Sequence, residues 1–315
     1  MSLFSLIAAT LLEYFQPLFM RKHLCGWLPG YADFFRHHFN AGEYGHGKFA
    51  WLLAVLPLIF CLVWLSRWLG DSHPVFAWAL NVLVLYASLG FSQFSRILDA
   101  IQRAVQGGKM GEARDLLSKW CGKSCHELDA DEIVRLAVEQ ALLAALQHLF
   151  GVVLWFALFS LLGLGGAAGA LGYCLAIGLS AGWAGKTGED EIGAETFDRF
   201  AQLMLYLLEW LPIRLTAATF ALVGNFEDTA YCWRSQAATW ADREKGILLA
   251  SAAGALGVRL GLPLMLDGKM LQRPELGIGG KAEPSTLGNT TRLIWRTTIV
   301  WLFVLLLLAL AGLLG

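Results

Sequence analysis

The stretch AGALGVRLGLP, at residues 253–263, places Arg259 inside an apolar and glycine-rich segment. The stretch RPELG follows at residues 273–277 and supplies a second arginine, Arg273. A charge without a partner is energetically costly in hydrocarbon, so an arginine there needs a carboxylate, a water-filled cavity or an anionic ligand. This stretch therefore predicts a partner or a ligand for Arg259 within the fold.

The composition around this stretch is that of a membrane protein. Of 315 residues, 57% are hydrophobic and 16% are charged, the mean hydropathy is +0.54, and there are 13 tryptophans. Too few polar side chains remain to cover a soluble globule of this size. The net charge of −1 comes without a basic run or an aromatic-interleaved basic patch, so nucleic-acid binding is excluded and the lipid bilayer is the expected partner.

Apolar segments close to the length of about 20 residues that crosses a bilayer recur along the chain. Eight are predicted as helical spans: 3–19, 49–65, 75–94, 141–164, 167–184, 201–223, 248–266 and 293–314. Two of them combine a proline with an arginine, Pro212 with Arg214 and Pro263 with Arg259, which favours buried or re-entrant helices. The first segment has no basic region before it and no small-residue cleavage site after it, so we expect a retained helix.

The lysines and arginines are distributed unevenly between the predicted loops. Loops 20–48, 95–140, 185–200 and 267–292, with Arg296 added to the last, carry 18 of the 24 lysines and arginines, against 4 in the alternate loops. Because basic loops stay in the cytoplasm, this bias predicts a multi-pass protein of a bacterial-type inner membrane with its long basic loops cytoplasmic. Eight crossings would then place both termini outside.

The longest polar stretch, residues 95–140, has helical periodicity. Apolar residues recur at helical spacing on both sides of Gly107-Gly108, which predicts a cytoplasmic amphipathic helical hairpin. Asp129 followed by Glu132 forms a capping-box pattern for the next helix. No strand-period segment is evident, so the predicted fold is all-α: a polytopic membrane bundle with about five to eight membrane-embedded helices.

Metal and phosphate-loop motifs are weak. Cys121, Cys125 and His126 form a Cys-x3-Cys-His cluster, but no second closely spaced pair completes the four ligands of a structural zinc site, so no metal is predicted. The glycine-rich run 163–169 lacks the lysine that follows a phosphate loop and predicts close helix packing or a tight turn instead. No cofactor is predicted.

Three charged residues near or within apolar runs are candidates for a site. Glu139 is either a carboxylate facing a substrate cavity or a solvated group at the membrane interface. Arg214 and Arg259 are expected to pair with Glu209, Glu13 or an anionic ligand. Structural pairing is the favoured interpretation for both arginines.

The last two-thirds of the chain resembles the CobD/CbiB membrane family of cobalamin biosynthesis, which includes cobinamide-phosphate synthase. The resemblance is carried by GEARDLLSKWCG at 111–122, LDADEIVRLAVEQ at 128–140, LPIRLTA at 211–217, YCWRS at 231–235, and above all AGALGVRLGLP with RPELG. It implies ligand-binding candidates at Glu139, Arg114, Arg214, Arg259 and Arg273, a mostly cationic set suited to an anionic small molecule or a corrinoid.

The chain departs from the family pattern at polar positions. Acids and amides of the family are replaced at Leu143, Ala144, Gln147, 177–180, 205–206, 242–244 and 248–249. Joining an amino-alcohol phosphate to a carboxylate needs an activated acyl group, bases or metal-binding acids, and donors for phosphate. These replacements predict a degenerate site, so the catalytic residues and the question of enzymatic activity are left open.

The N-terminal third resembles AmpE-type inner-membrane proteins associated with β-lactamase regulation. The matching stretches are residues 1–18, YADFFRHHFNAG at 31–42 and LLEWLPIRLTAATFALVG at 207–224. Together the two resemblances imply three segments: AmpE-like membrane helices at 1–94, the hairpin at 95–140 and a CbiB-like membrane domain at 141–315.

Three functional hypotheses follow. The leading one is a non-catalytic member of this superfamily that regulates or binds an anion, with an unidentified protein partner. The alternative is cobalamin biosynthesis by a cobinamide-phosphate synthase that joins an aminopropanol phosphate to adenosylcobyric acid. The third is a transporter, because Arg214 and Arg259 lie beside Pro-interrupted helices.

Overall fold

Helices make up most of this computed structural model, which describes residues 2–15, 26–39, 44–184 and 194–314. The helices are α1 (Ser2–Phe15), α2 (Leu28–Phe39), α3 (Tyr44–Ser72), α4 (Pro74–Ser88), α5 (Phe91–Gln106), α6 (Met110–Cys121), α7 (Ala130–Ala145), α8 (Gly151–Leu161), α9 (Gly166–Trp183), α10 (Ala194–Val223), α11 (Phe226–Gln236), α12 (Arg243–Leu256) and α13 (Pro284–Leu314). A π-helical turn, Leu146–Phe150, connects α7 to α8, and a 3-10 turn, Ala237–Thr239, follows α11.

Five helical segments of the described chain are long and apolar enough to cross a membrane. They are Gly45–Ser72, Ala130–Leu161, Gly166–Trp183, Phe197–Val223 and Pro284–Ala311, and two shorter apolar helices are Phe4–Glu13 and Pro74–Ser88. The prediction of an all-α polytopic membrane bundle is confirmed. The end of the first predicted span, residues 16–19, lies outside the described residues.

The chain forms two compact units, each built from two separate segments. The first unit comprises residues 1–90 and 147–210. Its core packs α2, α3, α9 and the start of α10 through side chains such as Trp51, Trp183 and Phe197. Gly163 and Gly165 have positive φ angles in the turn between α8 and α9, and Gly169 lies against the Trp155 carbonyl. The glycine-rich run thus provides both the turn and the close packing predicted for it.

The second unit comprises residues 91–146 and 211–315. Helix α5 buries Phe94, Leu98, Ile101 and Val105 on one face, against α7 and α13. Gly108 has a positive φ angle in the turn to α6, where the sequence predicts a break. The predicted capping box is present: the Asp129 carboxylate accepts from the Glu132 amide at 2.8 Å, and Glu132 accepts from the Asp129 amide at 3.0 Å. These bonds satisfy amides that the first turn of a helix leaves open.

Two predicted spans differ in the structure. The segment 75–94 is broken, because Leu89 is extended and the Gly90 amide donates to the His148 carbonyl at 3.1 Å. The segment 248–266 is wrong as a span: α12 ends at Leu256, where Gly257 takes the left-handed conformation that terminates helices. The chain therefore has fewer than the eight predicted crossings, and the placement of both termini outside no longer follows from them. Arg259 lies in no helix, so of the two arginines on which the transporter hypothesis rests only Arg214 lies within a helix.

Short strands that the sequence does not signal follow α12. Strand β1 (Leu260–Gly261) pairs with β4 (Glu275–Leu276), and β2 (Leu264–Leu266) pairs with β3 (Lys269–Leu271), both antiparallel. Asp267 and Gly268 have positive φ angles, as a tight β2–β3 hairpin turn requires. The two ribbons fold the chain between α12 and α13 into a defined loop.

Candidate functional site in the loop after helix α12

An ion pair between α7 and this loop lies at the centre of the candidate site. The Glu139 side chain is almost fully buried, with the residue 3% exposed, and its Oε2 atom is 2.6 Å from Nη1 of Arg273. Oε1 of Glu139 accepts from the Gly261 amide at 2.9 Å. The interpretation of Glu139 as a solvated interfacial group is therefore wrong, since its carboxylate fixes the loop.

Gly261 is held through both of its backbone polar groups. Its carbonyl accepts from Nη1 of Arg135 at 2.8 Å and from Nη2 of Arg273 at 3.0 Å. Nε of Arg273 donates to the Leu262 carbonyl at 3.1 Å, and its guanidinium lies 5.5 Å from the centre of the Trp240 ring. Arg135 is a site residue that the sequence reasoning missed, although its spacing of four from Glu139 places both on one face of α7.

Arg259 lies on the loop between α12 and α13, not in an apolar span as expected. Its amide donates to the Gly280 carbonyl at 3.0 Å, and its Nη1 atom is 3.5 Å from Oε1 of Glu275. Nε of Arg259 is buried and has no hydrogen-bond partner among the described residues. Nε itself is out of reach of a ligand, but the Arg259 side chain as a whole is 40% exposed and presents its positive charge at the surface.

A cavity of about 200 Å³ opens beside Arg259. Its lining combines three cations, two carboxylates and two apolar side chains: Arg135, Arg259, Lys281, Asp129, Asp131, Leu262 and Ala282. Lys281 and Asp131 form a loose pair at 3.6 Å, with the lysine side chain 76% exposed. Asp131 and Lys281 are far apart in sequence, and no local signal identifies them as neighbours.

The remaining candidate arginines contact other groups in the second unit. Arg214 forms a two-pronged ion pair with Glu244, in which Nη2 and Oε1 are 3.0 Å apart. Nε of Arg114 donates to the Leu128 carbonyl at 2.8 Å. Neither arginine lines the cavity. Structural pairing, favoured for Arg214, is observed, and its partner Glu244 was not among the acids considered.

The Cys-x3-Cys-His cluster has the properties of buried thiols. Burial raises the pKa of Cys121 to about 12, with the neighbouring Cys125 adding to the shift, and burial also raises the pKa of Cys125. Both thiols are therefore protonated at neutral pH, so a metal ion would have to displace both protons in order to bind them. Within the described ranges, no three His, Cys, Asp or Glu residues are grouped as metal ligands would be.

Comparison with known proteins shows the family to which the chain belongs. The family described as "CobD/Cbib protein" matches residues 6–294. Cobalamin biosynthesis protein CobD of Stutzerimonas stutzeri is 32% identical over 311 residues, covering 97% of this chain and 98% of the relative. Its counterpart in Chromobacterium violaceum is 30% identical, covering 83% and 80%, and CbiB of Salmonella typhi is 27% identical, covering 76% and 75%. No solved structure matches the chain.

These matches bear on the leading hypothesis. The family match begins at residue 6, so it includes most of the N-terminal third that resembles AmpE-type proteins. The relatives are named for cobalamin biosynthesis and align with 97%, 83% and 76% of the chain. They give no support to a non-catalytic, AmpE-like protein and agree better with the alternative. The chain belongs to the CobD/CbiB family of cobalamin biosynthesis and is a multi-pass membrane protein.

Proposed function

We propose that this protein is a cobinamide-phosphate synthase, which joins the amine of an aminopropanol phosphate to a carboxyl group of adenosylcobyric acid. The observation that carries the proposal is the cavity beside Arg259. Arg259 and Leu262 of its lining belong to the stretch that most resembles the family, and the cavity brings cations suited to a phosphate next to carboxylates. Membership of a cobalamin-biosynthesis family supplies the pathway.

The reaction needs an activated acyl group and a base. The amine nitrogen attacks the acyl carbon, a C–N bond forms, and the activating group leaves with one carboxyl oxygen. We assign activation to a nucleoside triphosphate: its terminal phosphoryl group passes to the carboxylate to form an acyl phosphate, the nucleoside diphosphate is released, and inorganic phosphate leaves when the amine attacks. The proton released by the amine needs an acceptor near neutral pH, and a carboxylate or water at the cavity can take it.

Carboxylates in the described structure weaken the argument for a degenerate site. The apolar replacements at Leu143 and Ala144 remove polar groups from α7, yet Asp129, Asp131 and Glu139 lie earlier on the same segment. Asp129 and Asp131 line the cavity, and Glu139 fixes the loop that forms its other side. This arrangement supports catalysis with the acids that remain in the stretch 128–140, which resembles the family, although other polar positions of the family pattern are replaced.

Complementation tests the synthase directly. We expect the protein to restore growth without added cobalamin precursors in a bacterial strain that lacks its own synthase. Purified protein with adenosylcobyric acid, aminopropanol phosphate and ATP should yield cobinamide phosphate, detected by mass spectrometry. A well-expressed, membrane-inserted protein that neither restores growth nor forms this product would exclude the synthase.

We also propose that the site faces the cytoplasm of a bacterial-type inner membrane. The loops 95–140 and 267–292 are rich in lysine and arginine, which favours the cytoplasmic side. Since α13 begins just after the site, the C-terminus would lie outside. Alkaline phosphatase fused after residue 315 should be active and a fluorescent protein fused there should be dark, with phosphatase fused after residue 283 inactive as the control. The reverse pattern would contradict this orientation.

A further inference from the structure

The cavity beside Arg259 presents opposite charges from different elements. Both carboxylates, Asp129 and Asp131, belong to the start of α7. Two of the three cations, Arg259 and Lys281, belong to the loop between α12 and α13. A ligand in this cavity therefore meets acceptors at the start of the helix and donors from the loop, with one further donor, Arg135, on the helix.

Arg259 presents a positive charge at this cavity, with its side chain 40% exposed. Its Nε atom is buried without a hydrogen-bond partner among the described residues, although Nη1 reaches Glu275. The pair with Glu275 is long, at 3.5 Å, and its side chains are 40% and 44% exposed, so the guanidinium can exchange this partner for an anion at little cost. The backbone of Arg259 is fixed by the bond from its amide to Gly280, so the guanidinium begins from a set position.

The other charged residues that line the cavity have donors or acceptors that can still bind a ligand. Arg135 uses Nη1 on the Gly261 carbonyl, and its Nη2 is 4.0 Å from Glu132. Oδ1 of Asp129 accepts the capping bond from Glu132, which leaves lone pairs on the carboxylate. Lys281 and Asp131 are separated by 3.6 Å and are both substantially exposed, so their pairing is weak and can be replaced.

The size of the cavity selects a small molecule. Pockets for drug-sized ligands are about 300–1,000 Å³, and this cavity is about 200 Å³. A corrinoid is far too large for it. An unbranched or singly branched phosphorylated amine has the right scale and carries both signs of charge, which matches a lining of three cations and two carboxylates.

We propose that this cavity binds the phosphorylated primary amine, with phosphate oxygens on Arg259 and Lys281 and the ammonium group on Asp129 and Asp131. The inference rests on the proposed function and assigns one of its two substrates to one place. The corrinoid then binds elsewhere, with its activated carboxyl presented at the mouth of the cavity. A carboxylate that holds the ammonium group is also placed to accept its proton.

Binding to the purified full-length protein in detergent tests both halves of the assignment. We expect 1-amino-2-propanol phosphate to bind at least about tenfold more tightly than isopropyl phosphate, which lacks the amine, or 1-amino-2-propanol, which lacks the phosphate. Isothermal titration calorimetry measures all three. Equal affinity for isopropyl phosphate would overturn the assignment of the ammonium group to the carboxylates. Equal affinity for 1-amino-2-propanol would overturn the assignment of the phosphate to Arg259 and Lys281.

Variants test the individual contacts. Arg259→Leu should lower affinity for the amino phosphate by about 10- to 100-fold, while Arg259→Lys, which keeps the charge, should lose less. Asp131→Asn should weaken the binding of the amino phosphate but not the binding of isopropyl phosphate. The matched control is Arg234→Leu, an exposed arginine that does not line this cavity, and it should bind as the unchanged protein does. Undiminished binding by both Arg259 variants would overturn the site.

Binding and complementation together distinguish the assignment of this cavity from the proposed synthase activity. A protein that complements the synthase-deficient strain yet binds no amino phosphate in this cavity would overturn the site and leave the function. A protein that binds as expected but neither complements nor forms product would uphold the cavity and exclude the synthase. Thermal unfolding of each variant in the same detergent establishes that the compared proteins are folded.

Discussion

Replacing Glu139 with alanine is expected to lower the free energy of unfolding by about 3–5 kcal/mol, because it leaves the guanidinium of Arg273 buried without its carboxylate. The Arg273 side chain is only 14% exposed, so water cannot replace the lost partner. The Gly261 amide loses its acceptor at the same time. Denaturant titration in detergent micelles measures the change, and growth complementation should fail because the cavity loses the loop that forms it.

An exposed ion pair provides the matched control. Lys109 and Glu112 are 3.7 Å apart, with side chains 72% and 57% exposed. Glu112→Ala should therefore cost less than about 1 kcal/mol. The double variant Glu139→Ala/Arg273→Met should recover part of the loss by removing the unpaired charge. If Glu139→Ala is no more destabilising than Glu112→Ala, the buried pair does not hold the loop.

Replacing Gly261 with alanine should damage both the stability and the function of the loop. Gly261 has φ +72°, and an added Cβ would collide with the Pro274 carbonyl oxygen and approach the Trp240 ring. The left-handed backbone costs a residue with a side chain about 1–2 kcal/mol, and the collision adds about 1–3 kcal/mol by displacing the backbone. We expect loss of complementation together with a lower free energy of unfolding.

The Gly268→Ala variant measures the backbone cost without the cost of the collision. Its φ angle is +69°, almost the same, but nothing lies within 4 Å of the position its Cβ would take. Gly268→Ala should therefore show only the backbone cost of about 1–2 kcal/mol and retain complementation. Equal effects of the two substitutions would show that the close contact between Gly261 and Pro274 is unimportant.

The parts of this fold that the sequence predicts depend on neighbouring residues. The capping box joins residues three apart, and the buried face of α5 follows from residues three and four apart. Gly257 could also have marked the end of α12, since glycine at a helix C-terminus is a common stop signal. The apolar residues beyond it, through Leu266, instead gave the impression of a continuous span.

The candidate site depends on contacts that no local pattern contains. Glu139 meets Arg273 across 134 residues, and Arg214 meets Glu244 across 30. Arginine and glutamate recur along the chain, so their types alone do not determine which two will pair. The strands β1–β4 are two or three residues long, which is too short for alternation to be seen. Sequence reasoning thus finds the candidates Glu139, Arg259 and Arg273 but not the loop that joins them.

The double attachment of Gly261 also determines where the chain can change length. The Gly261 carbonyl accepts from Arg135 and its amide donates to Glu139, one helical turn further along α7. Gly261 therefore has a single position along this helix. Arg273 attaches the far end of the same segment through the Leu262 carbonyl. An insertion between 263 and 272 would lengthen a hairpin whose two ends stay fixed. An insertion between Gly257 and Gly261 would shift every partner by one residue, so natural length variation in this family should concentrate at the hairpin.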